Sequence, residues 1–212
     1  MKHPRRYVNC GPIVELKPVL EKWCDLNRDF YKELKDDCPW WYNERASISI
    51  LAAAAWHAGA LALEEFSTTK GRRRTGSERP GRCDLKIWMK RNQFAFEAKQ
   101  KWCRLNTGNQ GKDLANKCDD ILAVFHDAQE DARKLKTHMG RRIGLCFIAP
   151  RILAKGKNLL DHSLDKLLDL FEKKQHHDAI AWFFVEDPTV LEDKDTGLLY
   201  PGTVLLLKEV KK

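Results

Sequence analysis

The sequence predicts an α/β fold in which a mixed β-sheet is flanked by helices on both faces. Two short unbroken apolar runs, at 143–150 and 179–187, are typical of strands that are covered on both sides. Helical segments separate these runs, and a hairpin-like pair of strands precedes them at 82–102. A hairpin followed by strand and helix crossovers favours a sheet with both parallel and antiparallel neighbours.

Two helices are predicted before the first strand. In residues 13–36 the apolar side chains recur at helical spacing: Leu16, Leu20, Trp23, Phe30 and Leu34. A second helix is predicted over 44–58, because Asn43 is a suitable N-cap and Gly59 is a typical stop signal.

Three strands are predicted next. Residues 60–68 alternate between apolar and polar side chains, as a half-buried strand does. The polar, glycine-punctuated stretch 71–81 predicts a loop. Residues 82–89 and 94–102 then predict a hairpin, because a short polar turn joins them.

The second half of the chain alternates helices with strands. A long helix is expected to begin near Gln110, because the apolar residues that follow step by four and three: Leu114, Cys118, Ile121, Phe125, Ala128, Ala132 and Leu135. Another helix, 157–174, separates the two apolar strands. The tail 198–210 predicts a closing C-terminal hairpin around Pro201 and Gly202.

Length and composition predict one globular, cytoplasmic domain. The 212 residues suffice for one core, with residues 1–43 as a helical extension packed on an α/β domain at 44–212. No apolar run approaches the roughly 18 residues of a membrane helix, and the first residues turn polar too early for a secretory signal. The seven cysteines form no CxxC pair and are odd in number, which predicts reduced thiols.

Polar residues interrupt the hairpin that is otherwise apolar. In the strand 94–102, Glu97 and Lys99 share one face, because strand side chains alternate. Asp84, near the start of the partner strand, is expected to lie beside Glu97. Two neighbouring carboxylates repel each other unless a divalent cation lies between them, so this pair predicts a metal site. The alternative is a surface ion pair between Glu97 and Lys99 beside an unrelated aspartate.

A third acid is expected near the hairpin. Glu44 lies one turn before Ile48 on the helix face that must pack on the sheet, so it is expected to point toward the sheet edge. A glutamate in a first turn can also merely complement the helix dipole. Glu64 and Glu65 compete with Glu44 for the same role.

Asp84 and the Glu97-Ala98-Lys99 segment on a hairpin, with a helix before it and a helix and strands after it, resemble the PD-(D/E)XK nuclease superfamily. The resemblance covers residues 44–186 and depends more on the placement of the motif than on its letters. One departure is visible, because Cys83 stands where the family pattern has proline.

The resemblance implies a restriction-endonuclease-like αβββαβ core and a metal-dependent nuclease. Mg²⁺ or Mn²⁺ would be held by Asp84, Glu97 and the backbone carbonyl of Ala98. Lys99 would orient or deprotonate the attacking water and stabilise negative charge, and Glu44 would act through a water or a second ion. Gln100 and Gln110 are weaker candidates, since Gln100 alternates to the opposite strand face and Gln110 begins the next helix.

The charge distribution predicts a nucleic-acid partner, which we expect to be DNA. The chain carries a net charge of +8, and the segment 70–104 holds twelve lysines and arginines against three acids. The basic residues expected to track a phosphate backbone are Arg72, Arg73, Arg74, Arg79, Arg82 and Lys101.

Two further questions stay open at the level of sequence. The protein is expected either to cleave nucleic acid or to have kept the nuclease fold as an inactive nucleic-acid-binding or partner-binding protein. Since many relatives in the superfamily cut both strands as dimers, a homodimer is one arrangement that the resemblance allows.

Overall fold

The computed structural model describes residues 1–71, 78–105 and 111–211. It contains four α-helices in these ranges: α1 (Lys17–Leu34), α2 (Glu44–His57), α3 (Gly111–Lys134) and α4 (Leu160–Lys174). The described strands are β1 (Arg6–Asn9), β2 (Leu61–Gly71), β3 (Glu78–Met89), β4 (Asn92–Arg104), β5 (Arg141–Leu153), β6 (Ala179–Phe184), β7 (Glu192–Asp193), β8 (Leu198–Leu199) and β9 (Gly202–Glu209). Short 3-10 turns at Gly11–Leu16 and Ala154–Leu159 lead directly into α1 and α4.

The predicted element order from the second helix to the strand at 179 is confirmed. The side chain of Asn43 caps α2 by accepting a hydrogen bond from the backbone N–H of Ala46 at 3.2 Å. The predicted loop at 71–81 is partly wrong, because β2 extends to Gly71 and β3 already begins at Glu78, while positions 72–77 lie outside the described residues. A segment rich in arginine and glycine has weak strand propensity, and here pairing with β2 overrides that propensity.

The sheet is mixed, as predicted, and its strand order is β1-β6-β9-β5-β4-β3-β2. Among the described strands, β4 and β5 pair in parallel and the other pairs are antiparallel. The predicted C-terminal hairpin is wrong. β8 pairs with β7 and β5, while β9 lies between β5 and β6 near the middle of the sheet. Periodicity identified β9 as a strand but did not identify its partners.

Helices cover both faces of the sheet. One face packs on α1 and α2 through a core that includes Leu20, Trp23, Ile48, Leu51 and Phe96, so the extension 1–43 is packed on the rest of the chain. The other face packs on α3 and α4 through a second buried cluster. The strand β1, which has no clear strand pattern in the sequence, pairs with β6 at one edge of the sheet.

The seven cysteines all lie within the described residues, where each is buried and free, as predicted. Among the described residues, no helix has both the length and the apolar character that crossing a membrane requires.

Candidate functional site

The predicted neighbours Asp84 and Glu97 lie opposite each other where β3 and β4 separate. The antiparallel register ends with the pair Leu85 and Phe96, so Asp84 and Glu97 are the next residues on the two strands. Backbone pairing between these strands stops at Leu85. Beyond it, the backbone N–H of Ala98 donates a hydrogen bond of 2.8 Å to Oδ2 of Asp84. The Asp84 side chain therefore fixes the strand separation at the point where the two carboxylates meet.

The hairpin of β2 and β3 continues past this point as a separate two-stranded ribbon. We define the ribbon as residues 65–71 of β2 and 78–84 of β3, in which Phe66 to Gly71 pair with Cys83 to Glu78. It begins with an irregularity, since Glu65 has a positive φ of 45° and Asp84 opposite it is skipped in the pairing. The ribbon contacts the end of α3, because Phe66 and Cys83 pack in one cluster with Leu135 and Met139. It therefore lies over the α3 face of the sheet, the face that carries Glu97.

Glu97 is a buried carboxylate with one satisfied oxygen. Its side chain is 3% exposed, and Oε2 accepts an ion-paired hydrogen bond of 2.7 Å from Nζ of Lys70 in the ribbon. Oε1 is buried without a hydrogen-bond partner among the described residues. Burial and the nearby charge of Asp84 raise the pKa of Glu97 to about 7, although Lys70 acts in the opposite direction.

Lys99 is held by an acid that comes from α3. Its Nζ lies 3.1 Å from Oδ2 of Asp131, and Lys134 binds the other oxygen of Asp131 at 2.6 Å. The expected alternative, an ion pair between Glu97 and Lys99, is therefore not the pairing seen here. Burial lowers the pKa of Lys99, but the hydrogen bond and charge of Asp131 outweigh it and hold that pKa above its ordinary value.

Glu44, in the first turn of α2, approaches the same place from the opposite face of the sheet. Burial raises the pKa of Glu44, the charge of Lys99 opposes that rise, and the charge of Asp84 adds to it. A hydrogen bond from the backbone of Gln100 also stabilises its carboxylate. The carboxyl of Glu44 thus interacts electrostatically with both Asp84 and Lys99.

The two competing acids have other partners. Glu64 accepts a hydrogen bond from the hydroxyl of Ser49 at 3.0 Å. Glu65 forms ion pairs with Arg45 at 2.8 Å and with Arg82 at 2.9 Å. Of the three acids, Glu44 is the one that the described contacts couple to the hairpin carboxylates.

Gln100 has a structural role in the described contacts. As predicted, it faces away from Glu97 and toward α2, where it accepts a hydrogen bond of 2.8 Å from the hydroxyl of Ser47. Its amide donates a hydrogen bond of 2.7 Å to the backbone carbonyl of Tyr42. These bonds fasten the start of α2 to β4, and so they position Glu44.

The predicted nucleic-acid-binding residues are only partly described. Arg72, Arg73, Arg74 and Gln110 lie outside the described residues, and so does the side chain of Arg79. Arg82 is 61% exposed in the ribbon while paired with Glu65. Lys101 is half-buried on β4, two residues beyond Lys99.

The donor set fits a hard divalent cation. Mg²⁺ and Mn²⁺ prefer carboxylate and carbonyl oxygens, which Asp84, Glu97 and Ala98 supply next to each other. Hydrogen bonds within the described part of the chain use one oxygen of each carboxylate, which leaves the second oxygen for an ion. A buried carboxylate oxygen without a partner is costly, and an ion would remove that cost.

A second group of potential ligands lies far from the hairpin in sequence. One ligand atom each from His3, Asp169 and Glu172 lie within 4.8 Å of one another. Asp169 already binds the side chains of Lys2 and His3, each at 2.9 Å, and its carboxyl is 45% exposed. These contacts account for the cluster without a metal.

Two residues of the site were not identified from the sequence, Lys70 and Asp131. Asp131 had a usable signal, since it lies three residues after Ala128 and four before Leu135, on the side of α3 that faces the sheet. Lys70 had none, because only the curvature of the ribbon brings it to Glu97.

Comparison with protein-family models, with curated proteins and with solved structures finds no match for this chain.

Proposed function

We propose that the protein is a metal-dependent nuclease that hydrolyses phosphodiester bonds, with DNA as the expected substrate. The observation that carries the proposal is the buried Glu97, whose Oε1 has no partner among the described residues and which lies opposite Asp84 beside Lys99. A stabilising cation would explain why this carboxylate is buried at a sheet position that could have been apolar.

Asp84, Glu97 and the carbonyl of Ala98 are the residues that would hold Mg²⁺ or Mn²⁺. When bound, such an ion supplies Lewis acidity at a phosphoryl oxygen and makes a water more acidic. Lys99 follows on the same strand face as Glu97, so its ammonium can stabilise negative charge on the attacked phosphate. Asp131 keeps that ammonium protonated and fixed in place.

Glu44 adds a further acceptor on the opposite side of β4. Burial raises the pKa of Glu44, which makes its carboxylate a stronger proton acceptor than an exposed glutamate. Since Glu44 lies within electrostatic reach of both Asp84 and Lys99, it would accept a proton from the attacking water.

A polyanionic substrate is supported by charge and by exposed aromatic residues. The net charge of +8 favours nucleic acid over neutral substrates. Tyr42 and Trp102 are 54% and 39% exposed, and they lie on the segments that carry Glu44 and Lys99. Exposed aromatic rings beside a basic site are suited to stacking on unpaired bases.

The test is a cleavage assay on supercoiled plasmid and on single-stranded DNA and RNA, with Mg²⁺, Mn²⁺ or EDTA. We expect metal-dependent cleavage that falls by about 100-fold or more in Asp84→Asn, which removes a charged metal ligand, and in Lys99→Ala, which removes the ammonium that stabilises charge at the phosphate. Asp127→Asn is the matched control, since Asp127 is exposed on α3. Cleavage that survives both EDTA and Asp84→Asn would contradict the proposal. Metal-independent binding without cleavage would instead favour an inactive nucleic-acid-binding protein.

A further inference from the structure

The ion pair between Lys70 and Glu97 joins two parts of the chain that are far apart in the sheet order. Lys70 belongs to β2, the edge strand, while Glu97 belongs to β4. Their charged atoms nevertheless lie 2.7 Å apart, with the side chain of Lys70 25% exposed and that of Glu97 3% exposed. A buried carboxylate with no counter-charge is strongly destabilising, so Lys70 balances the negative charge at the carboxylate that is assigned to a metal.

The ribbon delivers Lys70 to this position through specific packing. The backbone of Lys70 forms an isolated antiparallel bridge with Leu135 at the end of α3, which anchors the ribbon above the sheet. The stem of Lys70 crosses β3 over Gly81. A Cβ at Gly81 would lie 3.0 Å from both Cγ and Cδ of Lys70, closer than ordinary contact allows. The absence of a side chain at this position therefore leaves the path along which the lysine reaches Glu97.

We propose that Lys70 is the counter-charge of the site in the metal-free protein and that a divalent ion bound at Oε1 of Glu97 displaces its ammonium from Oε2. This inference rests on the proposed metal site at Asp84 and Glu97. Two cations bound to one carboxylate repel each other strongly in a buried environment, so the ammonium and the ion compete. Because the backbone of Lys70 is anchored at Leu135, the exchange requires movement of the lysine side chain and not of the ribbon.

Such an exchange has a clear consequence for the protein as a whole. Glu97 stays charge-balanced in both states, first by Lys70 and then by the ion, so the free protein folds without metal. The cost of displacing Lys70 weakens the binding of divalent ions. The site thus becomes occupied at a higher ion concentration than the two carboxylates by themselves would need.

The experiment measures Mn²⁺ binding to the full chain by calorimetry, with the metal-induced rise in melting temperature as a second readout. Lys70→Met removes the competing charge and keeps the length of the stem, and we expect Mn²⁺ to bind about tenfold more tightly. Gly81→Ala keeps the charge but crowds the stem, so it tests displacement separately from net charge. We expect it to tighten binding about threefold.

Lys117→Met is the matched control, because it removes the same charge from an ion-paired lysine of α3 that is 22% exposed, close to the 25% of Lys70. We expect it to change Mn²⁺ affinity by less than about twofold. Equal affinities for Lys70→Met, Lys117→Met and the unaltered protein would overturn the proposed competition. If Lys70→Met does not fold, unchanged affinity in Gly81→Ala overturns it instead.

Asp84→Asn separates this inference from the proposed function. If the unaltered protein binds Mn²⁺ and Asp84→Asn abolishes binding, the metal site stands, and the Lys70 and Gly81 variants decide the competition. If Mn²⁺ binding is undetectable, or if it survives Asp84→Asn, the proposed metal site fails and the role of Lys70 fails with it.

Discussion

At the scale of single residues, Glu97 shows how burial and charge compete. The ion pair with Lys70 favours the charged carboxylate, yet burial and the charge of Asp84 have the larger effect and raise the pKa of Glu97 to about 7. A carboxyl group with a raised pKa binds its proton more readily in the folded protein than in the unfolded chain. The metal-free protein therefore loses stability when this proton is removed.

This proton linkage predicts a pH dependence of folding. Below the ordinary glutamate pKa of 4.5, Glu97 is protonated in both states and its contribution to stability is fully present. That contribution is lost as the pH rises through about 7, and its size is about 3 kcal/mol. We expect the free energy of unfolding in EDTA, measured with urea, to fall from pH 5 to pH 8. The free energy of unfolding of the Glu97→Gln variant should fall much less over this range.

Glu64→Gln is the control for that measurement, because Glu64 is exposed. It should keep the pH dependence of the unaltered protein. The interpretation is wrong if Glu97→Gln loses stability between pH 5 and pH 8 as steeply as the unaltered protein does.

At the scale of elements, the distance between α3 and β5 sets the position of Asp131. Gly144 on β5 pairs with Glu97 on β4, and a Cβ at Gly144 would lie 2.7 Å from backbone atoms of Gln129. The helix can approach the sheet this closely because residue 144 has no side chain. That approach places Asp131, two residues beyond Gln129, within reach of Lys99.

Gly144→Ala is therefore expected to push α3 away from the sheet. We predict a loss of about 1–3 kcal/mol in the free energy of unfolding, since the added methyl meets backbone atoms that cannot rotate away. A crystal structure of the variant should show a longer distance between Asp131 and Lys99.

Ala123→Ser, at an exposed position of α3, is the comparison variant, and it should stay within about 0.5 kcal/mol of the unaltered protein. A Gly144→Ala protein as stable as Ala123→Ser would show that α3 can shift at no cost. The close approach would then not position Asp131.

At the scale of the whole molecule, the last strand in sequence is one of the central strands in space. β9 pairs with β5 on one side and β6 on the other, and residues 202–207 are buried. Its side chains contribute to the cores on both faces, with Leu205 and Leu207 on one side and Val204 and Leu206 on the other. The fold is thus completed only when its C-terminal segment is in place.

Deleting residues 201–212 should prevent folding. The deletion leaves backbone N–H and C=O groups of β5 and β6 without their partners in β9, and it removes apolar contacts from both cores. We expect the truncated chain to lack a cooperative thermal transition by circular dichroism. Deleting 211–212, which follow the buried Val210, should leave the transition intact. A cooperative transition in the longer deletion would contradict this view of β9.

The sequence by itself determined the features that depend on neighbours along the chain. Apolar periodicity together with cap and stop residues located the helices, and the polar turn located the hairpin, whose register leads to Asp84 and Glu97 at its open end. These predictions succeeded because helix spacing, strand alternation and hairpin register are local properties. The bounds of β3 were less accurate, since pairing with β2 extends the strand into a segment of low propensity.

Tertiary structure decided which distant residues meet. The pairing of β9 with β5, the contact of Lys70 with Glu97 and that of Asp131 with Lys99 each join residues 27 or more positions apart. Such contacts depend on how the whole sheet twists and on how closely the helices pack against it. Periodicity in a single segment carries no information about its partner, because many pairings bury the same apolar face equally well.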